Sequence, residues 1–146
     1  MFRIKVEKLL KKEIGAVFDY LADHENYDKF SGIKDSELLE PGLKEKNGRG
    51  ALRGLTLGSI KFEERITAFE RPTKLSYRIE KSTPIPFDHD LGTIELTKEG
   101  EFTRVIWRSE GRIAVPLIGK LVLDKLAQKQ GIAGFTSALK QIEREA

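Results

Sequence analysis

Apolar and charged residues alternate through most of the chain before residue 117. Phe2, Ile4 and Val6 alternate with charged residues, and this period of two predicts a strand with one buried face. The alternation recurs several times, and turn signals such as Asn47–Gly48 separate the repeats. Residues 82–90 contain two prolines and are predicted to form a longer loop. The further strands are predicted over residues 36–40, 50–56, 60–68, 75–79, 92–97 and 104–110.

Helical spacing follows the first strand and returns at the end of the chain. Ile14, Val17, Phe18 and Leu21 fall at i, i+3, i+4 and i+7, which predicts an amphipathic helix over residues 12–22. Tyr27 and Phe30 indicate a second short helix. After Pro116 no proline follows, and the residues are strong helix formers. The pattern therefore predicts a helix over residues 117–144, roughly 42 Å long at 1.5 Å per residue.

The order of these elements predicts an α+β fold in one domain spanning residues 1–146. Short turns between successive strands require antiparallel pairing. Because one strand face is charged and the other apolar, the sheet is expected to be wetted on one side only. The long helix must then bury an apolar stripe against the other side.

The apolar stripe of the long helix changes direction part of the way along. At 100° per residue, the stripe of the first half is rotated by roughly a quarter turn from that of the second half. Continued backwards, the second stripe would run through the polar residues Gln128 and Asp124. Gly131 and Gly134 lie where the phase changes, and they predict a kink or a close approach there. The first stripe contains Ile118, Val122 and Leu126, and the second contains Ile132, Phe135, Leu139 and Ile142.

Composition narrows the classes of function. The chain has no cysteine, so it can form neither a disulfide nor a thiolate metal site. The net charge is +3, but basic and acidic residues are interleaved, which favours a mixed surface over a nucleic-acid-binding face. No apolar run approaches the ~20 residues of a membrane span, and the N-terminus lacks a signal pattern. A cytoplasmic protein without cofactor or metal is expected.

Three segments carry a resemblance to a known family. They are EIGAVFDYLAD at residues 13–23, FERPTKL at 69–75 and GEFTRVIW at 100–107. In this order and spacing, the chain resembles the START-like superfamily of polyketide cyclases and lipid-transport proteins, which has the helix-grip fold. The resemblance implies a curved sheet of about seven strands wrapped around the C-terminal helix, with an apolar cavity between them. Residues 26–30 are also similar to a segment of the coenzyme Q-binding branch.

The resemblance implies a hydrophobic ligand, since such members bind lipids, sterols, quinones, hormones or polyketides. The first hypothesis is therefore a carrier or sensor of such a molecule. A second hypothesis is an enzyme of the cyclase/dehydratase type, because some members cyclise polyketides. A third is a protein-interaction module without a ligand. No nucleic acid and no stable membrane insertion are expected.

Glu64 is the most informative single residue, because it lies on an otherwise apolar strand face. A buried carboxylate is costly unless it is paired or neutral. Burial could raise its pKa and suit it to proton transfer. The alternatives are pairing with Arg53 or Arg78, or a bend that turns it to solvent. Arg53 shares its face with Ala51 and Leu55 and is a candidate to point inward.

His89 lies between Asp88 and Asp90, which suggests a metal site or an oriented imidazole. Neighbours in an extended segment point to opposite sides, so a polar loop at the cavity mouth is the preferred interpretation. In the enzyme hypothesis Glu64 or His89 transfers a proton and Tyr77 is the oxyanion donor. Alternation directs Arg65 and Arg108 outward.

The expected ligand-binding residues are those predicted to point inward, together with aromatic and helix residues near the cavity. The alternative that they only fill a core stays open. The set comprises Tyr27, Phe30, Arg53, Phe62, Glu64, Ile66, Tyr77, Ile79, Phe87, Ile94, Trp107, Gln128, Gly131 and Phe135.

Overall fold

The computed structural model describes residues 1–116 and 118–146, with only the backbone of 118–120. In these residues one curved antiparallel sheet of seven strands holds a long C-terminal helix, as predicted. The elements in chain order are β1 (Phe2–Leu10), α1 (Ile14–Ala22), a 3-10 helix (His24–Lys29), β2 (Ile33–Glu40), β3 (Leu52–Leu57), β4 (Ile60–Glu70), β5 (Lys74–Thr83), β6 (Phe87–Glu99), β7 (Phe102–Ile113) and α2 (Ile118–Glu145).

The sheet order is β1-β7-β6-β5-β4-β3-β2, so the first strand closes against the last. Every neighbouring pair is antiparallel, which the short turns require for the strands that they join. Burial alternates along β7 without exception, so one of its faces is inward throughout. Glu13 caps α1, because its carboxylate accepts hydrogen bonds from the backbone N–H groups of Gly15 and Ala16, both at 2.9 Å.

The predicted loop at residues 82–90 is wrong in extent, because strands occupy most of it. Only residues 84–86 lie outside β5 and β6. Beyond Tyr77 and Gly92, where their ladder ends, β5 pairs only with β4 and β6 only with β7. The two strands therefore separate at this end of the sheet. The prolines mark the connection between two separated strands, and the pattern did not distinguish this from an irregular loop.

The predicted stripe in the first half of α2 is also wrong. Val122 is 63% exposed and Leu126 is 46% exposed. The buried face instead continues through Asp124 and Gln128. Asp124 accepts a hydrogen bond from the backbone N–H of Ile113 at 2.7 Å and pairs with the N-terminal amine. Polar contacts to the sheet thus replace apolar packing.

The second half of α2 packs into the sheet, where Leu139 and Ile142 are fully buried. Ile132 is an exception to the predicted stripe, since it is 40% exposed. The helix runs through both glycines as one element, and the close approach is found at Gly131, where a Cβ would lie 2.2 Å from Cδ1 of Ile4. The predicted helix start at Leu117 and the side chain of Ile118 lie outside the described residues.

The inner face of the sheet is filled at one end only. There α1 and the second half of α2 cover it, and the packed residues include Val6, Leu10, Val17, Phe18, Ile66, Leu75, Ile94, Leu96, Val105, Leu139 and Ile142. The opposite end contains the separation of β5 and β6 and the more exposed half of α2. Among the described residues, no helix combines the length and apolar character needed to cross a membrane.

Candidate functional site

The open end of the sheet and α2 enclose a cavity of about 420 Å³. This volume lies within the roughly 300–1,000 Å³ of typical small-molecule sites. Its walls are mainly aliphatic and aromatic, and polar side chains are few. The predicted residues that line it are Tyr27, Phe30, Arg53, Phe62, Glu64, Tyr77, Ile79, Phe87, Trp107, Gly131 and Phe135.

Three residues of the predicted set do not line the cavity. Ile66 and Ile94 point inward as predicted, but they are buried in the core at the filled end of the sheet. Gln128 accepts a hydrogen bond from the backbone N–H of Arg3 at 2.9 Å and so helps to attach α2 to β1. Alternation shows which face of the sheet a residue occupies. It does not show whether the residue lies at the filled end or at the cavity end.

Several lining residues were not in the predicted set. Phe2 and Ile4 share the inward face of β1, which its alternation already indicated. Ser109 is a polar residue on the inward face of β7. The others come from the segment between the 3-10 helix and the start of β2, from β3 and β4, from the β5–β6 connection, from the end of β7 and from α2. They include Ser31, Gly32, Ile33, Leu55, Leu57, Ile60, Ile85, Ile113, Leu123, Leu126, Ala127, Gln130, Gly134 and Ala138.

Glu64 and Arg53 form a buried ion pair in the cavity wall. They lie opposite each other in the β3–β4 ladder. Nε and Nη2 of Arg53 both donate to the same carboxylate oxygen of Glu64, Oε1, at 2.9 and 2.7 Å. Arg53 is 1% exposed and Glu64 is 7% exposed. The pairing with Arg53, one of the alternatives read from the sequence, explains how a carboxylate occupies the apolar face.

His24 holds the other side of the Arg53 guanidinium. Its Nε2 lies 2.8 Å from the carbonyl oxygen of Asn47, which can only accept, so Nε2 carries the proton. Its Nδ1 then accepts from Nη1 of Arg53 at 3.3 Å. Burial, reinforced by the charge of Arg53, lowers the pKa of His24 to about 3. The imidazole is therefore neutral at physiological pH.

Aromatic rings enclose the same guanidinium. Its central carbon lies 4.5 Å from the ring centre of Tyr27 and 5.1 Å from that of Tyr77. Such contacts favour a cation most where water is excluded. The Tyr27 hydroxyl donates to the carbonyl of Leu21, which fixes this ring against α1. The ion pair is thus held by β3, β4, β5 and the 3-10 helix together.

Tyr77 and Trp107 connect this cluster to the opposite wall of the cavity. Nε1 of Trp107 donates to the Tyr77 hydroxyl oxygen at 2.9 Å, and the indole stacks on Phe135 of α2 at 4.1 Å between ring centres. A Cβ at Gly92 would lie 2.6 Å from the Tyr77 ring, so only glycine lets the ring cover β6 here. Burial raises the pKa of Tyr77, which therefore stays protonated.

His89 is not in a loop at the cavity mouth, which corrects the sequence interpretation. It lies in β6, is 2% exposed and does not line the cavity. Its Nδ1 accepts from the backbone N–H of Ile79 at 3.0 Å, and its Nε2 donates to Oγ of Ser109 at 2.9 Å. Burial lowers the pKa of His89. The imidazole thus bridges the separated strands β5 and β6.

The neighbours of His89 face the other way, as alternation predicted. Asp88 and Asp90 both accept from Arg112 on the outer face of the sheet. Arg65 and Arg108 also point outward and pair with acidic residues. In the described part of the chain, no three His, Asp or Glu side chains come close enough together to hold a metal ion.

The chemistry of the cavity is that of an apolar chamber with one polar region. Oε2 of Glu64 has no hydrogen-bond partner among the described residues, and the hydroxyl proton of Tyr77 has no acceptor there. Ser109 lines the same chamber. A bound molecule could therefore find one carboxylate acceptor and two hydroxyl groups in an otherwise apolar environment.

Comparison with known proteins identifies relatives over the whole chain. The family described as "Polyketide cyclase / dehydrase and lipid transport" matches residues 1–146. A START superfamily protein from Mycobacterium smegmatis has a similar structure, with a TM-score of 0.79, 11% identity and 100% of both chains covered. TTHA0849 from Thermus thermophilus gives a TM-score of 0.77 and 19% identity, covering 97% of this chain and 94% of the other.

An enzyme is also among the similar structures. The Zhui aromatase/cyclase from Streptomyces sp. R1128 gives a TM-score of 0.75 and 16% identity, covering 97% of this chain and 93% of that one. No curated protein sequence matches this chain. At these identities the likeness to solved structures establishes the fold alone. It agrees with the helix-grip resemblance read from the sequence.

Proposed function

The chain belongs to the polyketide cyclase / dehydrase and lipid transport family, and we propose that it binds a hydrophobic small molecule in its cavity, as a carrier or sensor. One observation carries this proposal: the core stops half-way along the sheet and leaves about 420 Å³ enclosed by apolar side chains. A protein that needed only stability would gain by filling that space, because buried cavities destabilise a fold. Burial of apolar ligand surface would provide the binding free energy.

The polar groups of the wall suit a binding site better than a proton-transfer site. The carboxylate of Glu64 is engaged in a buried ion pair with Arg53. His89, the other candidate, donates to Ser109 and accepts from Ile79, so both its nitrogens are engaged. These features support a ligand held in place without reaction.

The test is direct occupancy of the cavity. Gly134 lines the cavity, and a Cβ there would meet nothing within 4 Å, so Gly134→Leu should extend into open space at this wall. Trp107 is the only tryptophan and lines the same cavity, so its fluorescence reports occupancy. We expect an uncharged apolar probe such as N-phenyl-1-naphthylamine to change Trp107 emission in the unmodified protein. The response should be at least tenfold weaker in Gly134→Leu.

The matched control is Ala133→Leu, which adds a similar side chain to an exposed neighbour that does not line the cavity. It should bind the probe as the unmodified protein does. Equal binding by all three proteins would place the probe outside the cavity and contradict the proposal. Native mass spectrometry of the protein from cells, with Gly134→Leu alongside, then searches for the natural ligand.

A cyclase or dehydratase activity is the second candidate, and one observation favours it. Oε2 of Glu64 has no hydrogen-bond partner among the described residues and can accept a proton from a bound substrate. Tyr77, still protonated, would donate to a developing oxyanion. Glu64→Gln and Tyr77→Phe should then abolish turnover of a poly-β-ketone while leaving its binding measurable. A carrier shows altered affinity in these variants and no turnover in any of them.

A further inference from the structure

The polar region of the cavity has an unusual balance of charge and hydrogen-bonding groups. A buried arginine in a ligand cavity ordinarily suggests an anionic ligand, because guanidinium groups bind carboxylates and phosphates. Here each of the three guanidinium nitrogens of Arg53 already donates to a side chain, Nε and Nη2 to Glu64 and Nη1 to His24. The positive charge is compensated by the carboxylate it contacts.

The group that remains available is an acceptor. Both hydrogen bonds from Arg53 go to Oε1 of Glu64, and Oε2 has no hydrogen-bond partner among the described residues. Glu64 retains more exposure than Arg53, 7% against 1%, so the carboxylate is the more accessible partner of the pair. A charged oxygen in such a place is stabilised strongly by a donor that reaches it.

Hydroxyl groups supplement this acceptor. The Tyr77 oxygen accepts from Trp107, and its own proton has no acceptor among the described residues. Ser109 accepts from Nε2 of His89, which leaves its proton free to be donated. The wall therefore presents one anionic acceptor and two neutral donors. A ligand hydroxyl can use both kinds, because it donates one hydrogen bond and accepts others.

We propose that this region selects ligands bearing a hydroxyl group, a phenol or an alcohol, and rejects carboxylates of the same shape. The inference rests on the proposed binding function and specifies its ligand class. A carboxylate cannot donate to Oε2 of Glu64 and would place a second negative charge near it. A methyl ether keeps the size of a phenol but has lost the donor.

The test compares three probes that differ at one position: 2-naphthol, 2-methoxynaphthalene and 2-naphthoate. Affinities are measured near neutral pH, where 2-naphthol is protonated and 2-naphthoate is ionised, by Trp107 fluorescence and calorimetry. We expect 2-naphthol to bind about tenfold to a hundredfold more tightly than the ether, the range expected of a buried hydrogen bond to a charged group. The naphthoate should bind more weakly than the ether.

Two double variants test whether the preference for 2-naphthol over 2-methoxynaphthalene depends on the Arg53–Glu64 pair. Arg53→Met/Glu64→Met removes the pair without leaving an unpaired charge, and it should bind the naphthol and the ether equally. Arg65→Met/Glu80→Met removes an ion pair on the outer face and should keep the full preference. If the first double variant does not fold, the probe comparison on the unmodified protein decides.

The outcomes separate this inference from the proposed function. Equal binding of naphthol and ether, or tightest binding of naphthoate, overturns the hydroxyl preference and leaves cavity binding intact. A preference that persists in Arg53→Met/Glu64→Met also overturns it, since the donor would then bind elsewhere. If none of the three probes binds while Gly134→Leu behaves like the unmodified protein, the proposed function fails as well.

Discussion

Arg53 donates two hydrogen bonds to a single oxygen of Glu64, from Nε at 2.9 Å and from Nη2 at 2.7 Å. In a bidentate pair, two nitrogens of the guanidinium group would donate to the two different oxygens of the carboxylate. The arrangement found here satisfies the cation and leaves the anion with a free acceptor toward the cavity. The stability of the fold and the proposed preference for a ligand hydroxyl therefore depend on the same two side chains.

Breaking this pair on one side should be far more harmful than removing it altogether. Arg53→Met or Glu64→Met alone should each lower the free energy of unfolding by about 3–5 kcal/mol, because a buried charge loses its counterpart. Arg53→Met/Glu64→Met should recover most of that loss. Urea denaturation of the four proteins measures the coupling. If the double variant loses the sum of the two single losses, the residues are not coupled as described.

His24 should make the protein less stable as the pH falls below its ordinary pKa. Its pKa is about 3 in the fold and about 6.5 when unfolded, so between these values only the unfolded chain takes up the proton. Stability is therefore complete above pH 6.5 and declines below it. From pH 7 to pH 5, the loss attributable to His24 is about 2 kcal/mol.

The comparison protein for this prediction is His24→Gln, which keeps an N–H donor and cannot take up the proton. Denaturant titrations at pH 7 and pH 5 should show a smaller pH-dependent loss in the variant. His89 also has a lowered pKa, so some dependence will remain. If His24→Gln loses as much free energy of unfolding between pH 7 and pH 5 as the unmodified protein does, His24 is not the source of this loss.

The two glycines of α2 should respond oppositely to alanine. A Cβ at Gly134 meets nothing within 4 Å, so Gly134→Ala should gain up to about 1 kcal/mol from helix propensity. A Cβ at Gly131 would lie 2.2 Å from Cδ1 of Ile4, and the displacement of that side chain should cancel the gain or reverse it. Thermal or urea unfolding of both variants measures the difference. Equal stabilisation by both substitutions would show that α2 does not approach β1 this closely.

Tyr77→Phe should destabilise the fold through Trp107. The substitution removes the acceptor at 2.9 Å from the indole N–H and leaves a buried donor unpaired, at a cost of about 1–3 kcal/mol. Trp107 emission should move to shorter wavelength because the hydrogen bond is lost. Tyr20→Phe, at a half-buried position near the end of α2, is the control and should leave the emission unchanged. No spectral change in Tyr77→Phe would contradict the contact.

The sheet was predictable because each strand reports its faces locally. The alternation in β1 and β7 identified the inward residues, and the inward position of Arg53 followed from its neighbours Ala51 and Leu55. The alternation does not show whether an inward residue lies in the packed core or in the cavity wall. Ile66 and Tyr77 are both inward and face each other across β4 and β5, yet one is core and the other lines the cavity.

The residues that complete the site come from distant parts of the chain. His24 is brought to Arg53 by the break after α1 and by the carbonyl of Asn47, a combination without local signal. Asp124 looked unsuited to a buried stripe, and it is buried because the backbone N–H of Ile113 needs an acceptor. A polar residue that accepts a hydrogen bond from the backbone at the end of a strand can be recognised only when the position of that strand is known.

The separation of β5 from β6 divides the sheet into two halves, β1-β7-β6 and β5-β4-β3-β2. Main-chain hydrogen bonding between these strands is confined to the register Lys74–Tyr77 with Gly92–Glu95. Beyond it, hydrogen bonds through side chains join the halves. They include His89 to the N–H of Ile79, Ser82 to the N–H of Phe87, and the Trp107 indole to Tyr77. The Arg53–Glu64 pair belongs to one half, whereas Phe135 belongs to the other. A ligand that contacts both halves would hold them together. We expect it to slow amide hydrogen exchange along β5 and β6, including at residues that it does not contact.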